Sequence, residues 1–329
     1  MSATNTHQQP ARAAVLANLF AVYLIWGSTY LAIHFAVQGA PPFVMMAIRF
    51  LIAGGLLYTV LRLRGTARPT WQQWRSGAII GALLLFGGNG MVAWAESQGV
   101  PSSLAALLVS MTPIWMTLID WLRPHGLRPT WGIAVGLLLG FGGVALLVGP
   151  NVVQDLNSNS PAWGFLVIPF SSLAWAIGSI YARNATMPKS SLMGTSVEML
   201  GGGLVLAIAA LITGEVGQVN ANIFTLTSTS ALLYLILFGS LVGYSAYTWL
   251  LQNTPLSLAS TYAYVNPVVA VGLGWALAHE SLTPLTLVAA AIIVASVCLI
   301  TTFRGHATTP VPEAVLAEEA QGTAPHLAE

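Results

Sequence analysis

Charge is scarce in this sequence: Asp, Glu, Lys and Arg make up 6% of 329 residues, and eleven basic against ten acidic side chains leave a formal net charge of +1. A water-soluble domain carries about a quarter of its residues charged to cover its surface. So low a content excludes a soluble fold of this length. No run of basic residues suggests nucleic acid as a partner. Cysteine is nearly absent as well. The single Cys298 lies in an apolar run and excludes an internal disulfide or a multi-cysteine metal site. Gly-x-Ser-x-Gly, His-Glu-x-x-His and Gly-x-x-x-x-Gly-Lys strings are missing too, so hydrolysis, metal catalysis and direct ATP coupling have no visible machinery. These absences predict a protein that is not an enzyme and needs no cofactor or metal.

Apolar residues are what the chain has in quantity, at 56%. About 20 of them in succession span a hydrocarbon core of about 30 Å. Cutting the chain at turn residues and charges predicts spans over 13–35, 42–61, 77–96, 102–121, 131–149, 162–182, 192–213, 229–250, 258–278 and 283–303. The first run continues to about Phe35 without a small-residue cleavage pattern and reads as a retained helix rather than a signal peptide. Positive charge is held on the cytoplasmic side during insertion. Arg12, Arg62, Arg64, Arg68, Arg75, Arg123, Arg128, Arg183, Lys189 and Arg304 all fall on one side of this ten-span layout, while the opposite loops hold Glu96, Asp155, Glu215 and Glu280. Both termini are therefore expected in the cytoplasm.

An internal repeat accompanies the spans. Pro101, Ser103, Leu104, Ala105, Pro113, Trp121 and His125 recur as Pro255, Ser257, Leu258, Ala259, Pro267, Trp275 and His279 at a constant offset of 154. Gly27-Ser28-x-Tyr30 is echoed at Gly178-Ser179-x-Tyr181, and Phe86-Gly87 at Phe238-Gly239. With five spans per copy the two copies insert in opposite senses, an inverted repeat of the kind on which secondary transporters are built. The expected fold is thus all-α and integral to the membrane, ten transmembrane helices as two five-helix halves. Its expected parts are a cytoplasmic segment 1–12, a first repeat 13–149, an external loop 150–161, a second repeat 162–303 and a disordered cytoplasmic tail 304–329, polar and rich in Thr, Pro, Ala and Glu.

The motif string resembles the EamA family of the drug/metabolite transporter superfamily. The residues that carry the resemblance are Ile25-Trp26-Gly27-Ser28-Thr29-Tyr30, Arg49-Phe50, Gly88-Asn89-Gly90-Met91, Thr112-Pro113 and Tyr262-Ala263-Tyr264-Val265-Asn266-Pro267, with Glu280 near the end. Within the family, the Asn89 segment, Glu96 and the run from Tyr262 to Pro267 are most similar to one exporter branch. The resemblance implies two EamA repeats, multi-pass insertion in a bacterial inner membrane, and export or exchange of amino acids or related metabolites, with a proton or counter-substrate as coupling partner. It leaves monomer and homodimer open. The chain departs from the family at the Gly-Glu pair expected after both the fourth and ninth spans, where it has His125-Gly126 and His279-Glu280. Glu280 therefore reads as a helix-end or external-gate residue. A channel-like pore or a non-transporting scaffold is the alternative.

Ionisable groups deep in a span cost about 2.5–3.5 kcal/mol on insertion scales and need a partner or a task. Arg49 and Glu198 lie at matching places in the repeat, each about 10 Å below its surface at about 1.5 Å per residue. They face a shared cavity, Arg49 attracting a carboxylate and Glu198 an amine or proton, or they stabilise helices. Asp120, close to Arg123, reads as an interfacial pair. Rings and oriented polar groups commonly wall a metabolite site, which nominates Trp26, Ser28, Tyr30, Asn89, Trp94, Trp175, Tyr181, Tyr244, Tyr262, Tyr264 and Asn266. Pro113 and Pro267 free a carbonyl one turn earlier and are candidate hinges.

Overall fold

A computed structural model describes residues 11–37, 40–98, 100, 102–124, 128–156, 164–219, 225–278 and 283–303. Among these the regular structure is helical. In chain order the helices are α1 (Arg12–Val37), α2 (Pro42–Leu63), α3 (Trp71–Gly81, continued through Ala82–Gly90 and Met91–Ser97), α4 (Ser102–Val109 and Thr112–Leu122) and α5 (Trp131–Leu156). Then follow α6 (Gly164–Asn184), α7 (Ser191–Ile212), α8 (Leu226–Tyr234, Leu235–Tyr244 and Ser245–Asn253), α9 (Leu256–Ala259 and Tyr262–Ala278) and α10 (Pro284–Phe303). Among the described residues eight stretches are long and apolar enough to cross a membrane, and Leu107–Leu122 and Trp131–Leu147 are shorter apolar helices. Trp275 lies on α9, while His125, His279, Glu280, the first ten residues and the tail from residue 304 lie outside the described residues.

Helix ends follow local chemistry. Thr70 and Gln73 form a reciprocal capping box that starts α3 at Trp71, six residues before the apolar stretch begins at Gly77. Arg62 donates to the Thr66 carbonyl in the turn after α2. Pro41 offers α2 no side-chain cap. Its first amides are instead met from a distance: the Phe43 and Val44 N–H groups donate to Glu215 Oε2 at 2.8 and 3.1 Å. Burial of that carboxyl outweighs the two amide bonds and holds Glu215 above the usual carboxylate range.

Two halves are visible in the packing. α2 lies on α7 and α5 on α10, each helix against its sequence equivalent; α1 packs on α8 and α9, as α6 packs on α3 and α4. The irregularities are paired too. α3 and α8 each pass through a π-helical stretch, Ala82–Gly90 and Leu235–Tyr244, and α4 and α9 are each interrupted, at Ser110–Met111 and Ser260–Thr261.

Without hydrophobic drive between lipid-solvated helices, small residues permit the close backbone contacts that hold them together. Gly81 of α3 faces Gly202 and the Glu198 carbonyl of α7 so closely that a Cβ there would collide with the backbone of both. Gly77 and Gly201 continue this seam against Val197 and Ala78. Gly81→Leu is expected to cost about 1–3 kcal/mol of packing, read as a lower midpoint of thermal unfolding in detergent, whereas Gly55→Leu, at a position with open space, leaves it unchanged.

Candidate functional site

A cavity of about 100 Å³ lies between α1, α2, α3, α4, α6 and α9. Its wall comes from the ends of α1 and α3 (Ile33, Glu96) and the beginnings of α2, α4 and α6 (Met46, Ala105, Ser171). The cavity therefore lies toward the end of the bundle where α1 gives way to α2. Six residues singled out in the sequence meet in this wall: Trp26, Arg49, Asn89, Trp175, Tyr262 and Asn266.

Arg49 is the buried cation of the site, 4% exposed on α2. Its Nε donates to Ser240 Oγ at 2.8 Å, Nη1 approaches Met46 Sδ at 3.9 Å, and the guanidinium carbon stands 4.8 Å from the centroid of Phe50. Gly239 makes room: a Cβ there would lie 2.7 Å from Nη2. Among the described residues the one ion pair is Asp120 with Arg123, at 2.5 Å, so the Arg49 charge is not neutralised by any of them. Ser240 and Gly239 both belong to the π-helical stretch of α8. A π turn inserts a residue into the helical repeat and re-aims the side chains around it, which is why such turns recur at functional positions.

An aromatic cluster borders the cavity. Trp26 meets Trp175, Tyr247 and Tyr262 at centroid separations of 5.7, 5.0 and 4.9 Å, and Tyr247 lies 5.4 Å from both Trp175 and Tyr262. The polar edges are tied down. Trp26 Nε1 donates to the Gly239 carbonyl at 3.1 Å, and Trp175 Nε1 donates to the Tyr247 hydroxyl at 2.8 Å, which also bonds Ser179 Oγ at 2.8 Å. Each tryptophan is seated on the π-helical stretch of the other half, Trp26 against Gly243 and bonded to the Gly239 carbonyl, Trp175 against Gly88.

The remaining nominated residues lie elsewhere. Glu198 is buried on α7, its Oε2 accepting from the Tyr244 hydroxyl at 2.9 Å, and neither residue is in the wall. Tyr264 donates to the Leu137 carbonyl at 3.1 Å and fastens α9 to α5. Ser28 donates to the Ile25 carbonyl and shares a bond with the Tyr234 hydroxyl. Trp94 packs against the main apolar cluster, Tyr181 is exposed, and the side chain of Tyr30 lies outside the described residues. Pro113 begins the second segment of α4, whereas Pro267 sits inside α9, past the Ser260–Thr261 interruption. Three features of the site were not nominated from the sequence: Glu96, Thr29 and Thr112, named there for the resemblance and not as wall residues; the hydroxyls of Ser171 and Ser172; and the central place of Tyr247. The Ser171-Ser172 pair inside an apolar run was the available signal.

An all-helical bundle with several membrane-length helices and a polar-spotted cavity among them is the architecture of a polytopic membrane protein. The comparisons give the family: the EamA-like transporter family matches residues 13–149 and 162–302, and the chain belongs to it. The uncharacterized inner membrane transporter YedA of Escherichia coli K12 is 41% identical over 286 residues, covering 86% of this chain and 89% of that one. The uncharacterized transporter YvbV of Bacillus subtilis 168 is 24% identical over 283 residues, covering 85% and 88%. A crystal structure superposes with a TM-score of 0.71 at 19% identity, over 89% of this chain and 98% of its own, and so shares the fold.

Tyr247→Phe removes the hydroxyl on which the Trp175 indole and Ser179 converge. A buried donor without its partner costs about 1–3 kcal/mol, so the thermal midpoint in detergent is expected to fall; an unchanged midpoint would show that these bonds do not hold the cluster.

Proposed function

We propose that the chain is a secondary-active carrier of the bacterial inner membrane that exports or exchanges amino acids or related small metabolites by alternating access. The carrying observation is the buried guanidinium of Arg49 on a cavity wall between the two halves, without a carboxylate partner among the described residues. Such a charge is costly in an apolar bundle unless something brought from outside answers it. A substrate carboxylate does so, and the ring cluster beside it supplies apolar contact for the rest of the molecule.

The layout that goes with this reading has ten crossings, two five-helix repeats of opposite sense (13–149 and 162–303), a connection at 150–161, and cytoplasmic segments 1–12 and 304–329. In that frame the α1–α2 connection is external and the cavity faces outward. The paired π-helical stretches and interrupted helices support it, since they recur at related places in the two halves. Direction and coupling, by proton or by counter-substrate, follow from gradients rather than from the fold.

Cells overproducing the wild-type chain, Arg49→Gln or neither, at matched membrane levels, are compared for metabolites released to the medium. At least one compound is expected to rise with wild type, and its release to fall at least tenfold with Arg49→Gln. Equal release by the variant would remove the cavity from the transport path. A pore would release without saturation and a scaffold would release nothing.

A further inference from the structure

One residue of the cavity wall carries a polar atom whose need is unmet. Asn266 is 2% exposed on α9 and lines the cavity, and its Oδ1 has no hydrogen-bond partner among the described residues. Among the described residues, buried side-chain atoms of Trp115, Thr117, Arg123 and Ser245 share that condition, Asp120 Oδ1 is answered by the Arg123 guanidinium at 2.5 Å, and none of these residues is in the wall. A buried acceptor left unbonded costs about 1–3 kcal/mol. The position is firmly set: Gly27 of α1 lies against the Asn266 backbone, where a Cβ would stand 3.3 Å from its carbonyl oxygen and 2.6 Å from Val269.

The serine and threonine hydroxyls of the wall are spent on their own helices: Thr29 donates to the Trp26 carbonyl at 2.8 Å, Thr112 to Val109 at 2.7 Å, Ser171 to Val167 at 2.9 Å and Ser172 to Pro169 at 2.9 Å. Arg49 uses Nε on Ser240 and keeps its terminal nitrogens, which meet only the Met46 thioether. A guanidinium has only donors, and an amide oxygen only lone pairs. The wall thus combines charged donors on α2 with a residue of α9 whose amide oxygen is unpaired.

We propose that Asn266 is the specificity-determining residue of this cavity, its Oδ1 accepting an N–H of a substrate whose carboxylate is held by Arg49. The inference rests on the carrier reading above and narrows it to 2-amino acids over the matching 2-oxo acids. An oxo acid satisfies Arg49 equally but turns a carbonyl lone pair toward Oδ1, leaving the amide unpaired. A site built around a hydrogen bond rejects an analogue that cannot make it far more sharply than an apolar pocket rejects a changed side chain.

The test uses the full chain in proteoliposomes and a panel of 2-amino acids with their 2-oxo twins, scored by saturable uptake or counterflow. The expected result is at least a tenfold preference for the amino member of some pair. Asn266→Leu should shrink it to threefold or less while the oxo acid is still carried, and Asn266→Asp, which keeps acceptor oxygens in the same shape, should retain it. A variant that no longer elutes as a single folded species is replaced by Asn266→Ser, which is too short to reach the same donor and should also lose the preference. Carriage of both twins equally by wild type, a preference for the oxo acid, or a preference that survives Asn266→Leu would overturn the inference and leave the carrier reading standing. Absence of any saturable transport over the panel would overturn the inference, and absence of released metabolites in the cell experiment would remove the carrier reading itself.

Discussion

A guanidinium inside an apolar bundle is the constraint around which the rest of this structure is arranged. Burying Arg49 costs several kcal/mol that hydrocarbon cannot return, and the fold spreads the compensation over three elements. The π-helical stretch of α8 brings Ser240 to Nε and leaves Gly239 bare where a side chain would strike Nη2. α2 contributes the Phe50 ring and the Met46 thioether. None of these carries a negative charge. Local packing therefore positions the cation without neutralising it, as a binding site for an anionic group requires.

The same stretch of α8 also seats Trp26, through the Gly239 carbonyl and the bare face of Gly243. The cation of α2 and the ring cluster are thus set by one short piece of another helix. Its equivalent in α3 seats Trp175 at Gly88 and carries Asn89 into the wall. A π turn trades ideal hydrogen-bond geometry for a local change of phase, and here the change lets each half present glycine to the other half's tryptophan. Any rearrangement of α3 or α8 about these turns would move a tryptophan, a wall residue and, through Gly239, the cation together.

The parts that were legible in the sequence are those set by solvent. Lipid forces long apolar runs and internal satisfaction of the backbone, so helix positions follow from where charges and turn residues stop. The limits of that logic are local. α3 starts at Trp71 because a capping box on Thr70 can nucleate a helix in polar sequence, and α5 runs on to Leu156 through residues that read as loop. Arg49 stood out because it is costly. Glu96 was noticed for its loop and for the family resemblance but not as a wall residue, because a carboxylate ending an apolar run looks like any interfacial residue. Tyr247 was lost among other tyrosines, since only the crossing of α1, α6, α8 and α9 gives its ring three neighbours. The interruption at Ser110–Met111 stands beside Pro113, but that at Ser260–Thr261 comes well before Pro267, so a proline marked one break and not the other.

Duplication explains the scaffold, and divergence within it explains why the site is not symmetric. Arg49 and Glu198 occupy related places on α2 and α7, two helices that pack on each other, yet they are of opposite charge and are answered differently. Glu198 is bonded to Tyr244 within its own half and stays out of the wall. Arg49 reaches across to the other half and borders the cavity. A perfectly repeated chain would have placed two like charges near one axis, each raising the cost of the other. Making one of the pair a carboxylate and fastening it to a tyrosine removes that repulsion. The cavity wall is left with the cation of Arg49, the carboxylate of Glu96, and the unpaired amide oxygen of Asn266 on a third helix. A ligand bound there meets a different group on each side, so orientation is imposed by chemistry although the chain carries two copies of one family repeat.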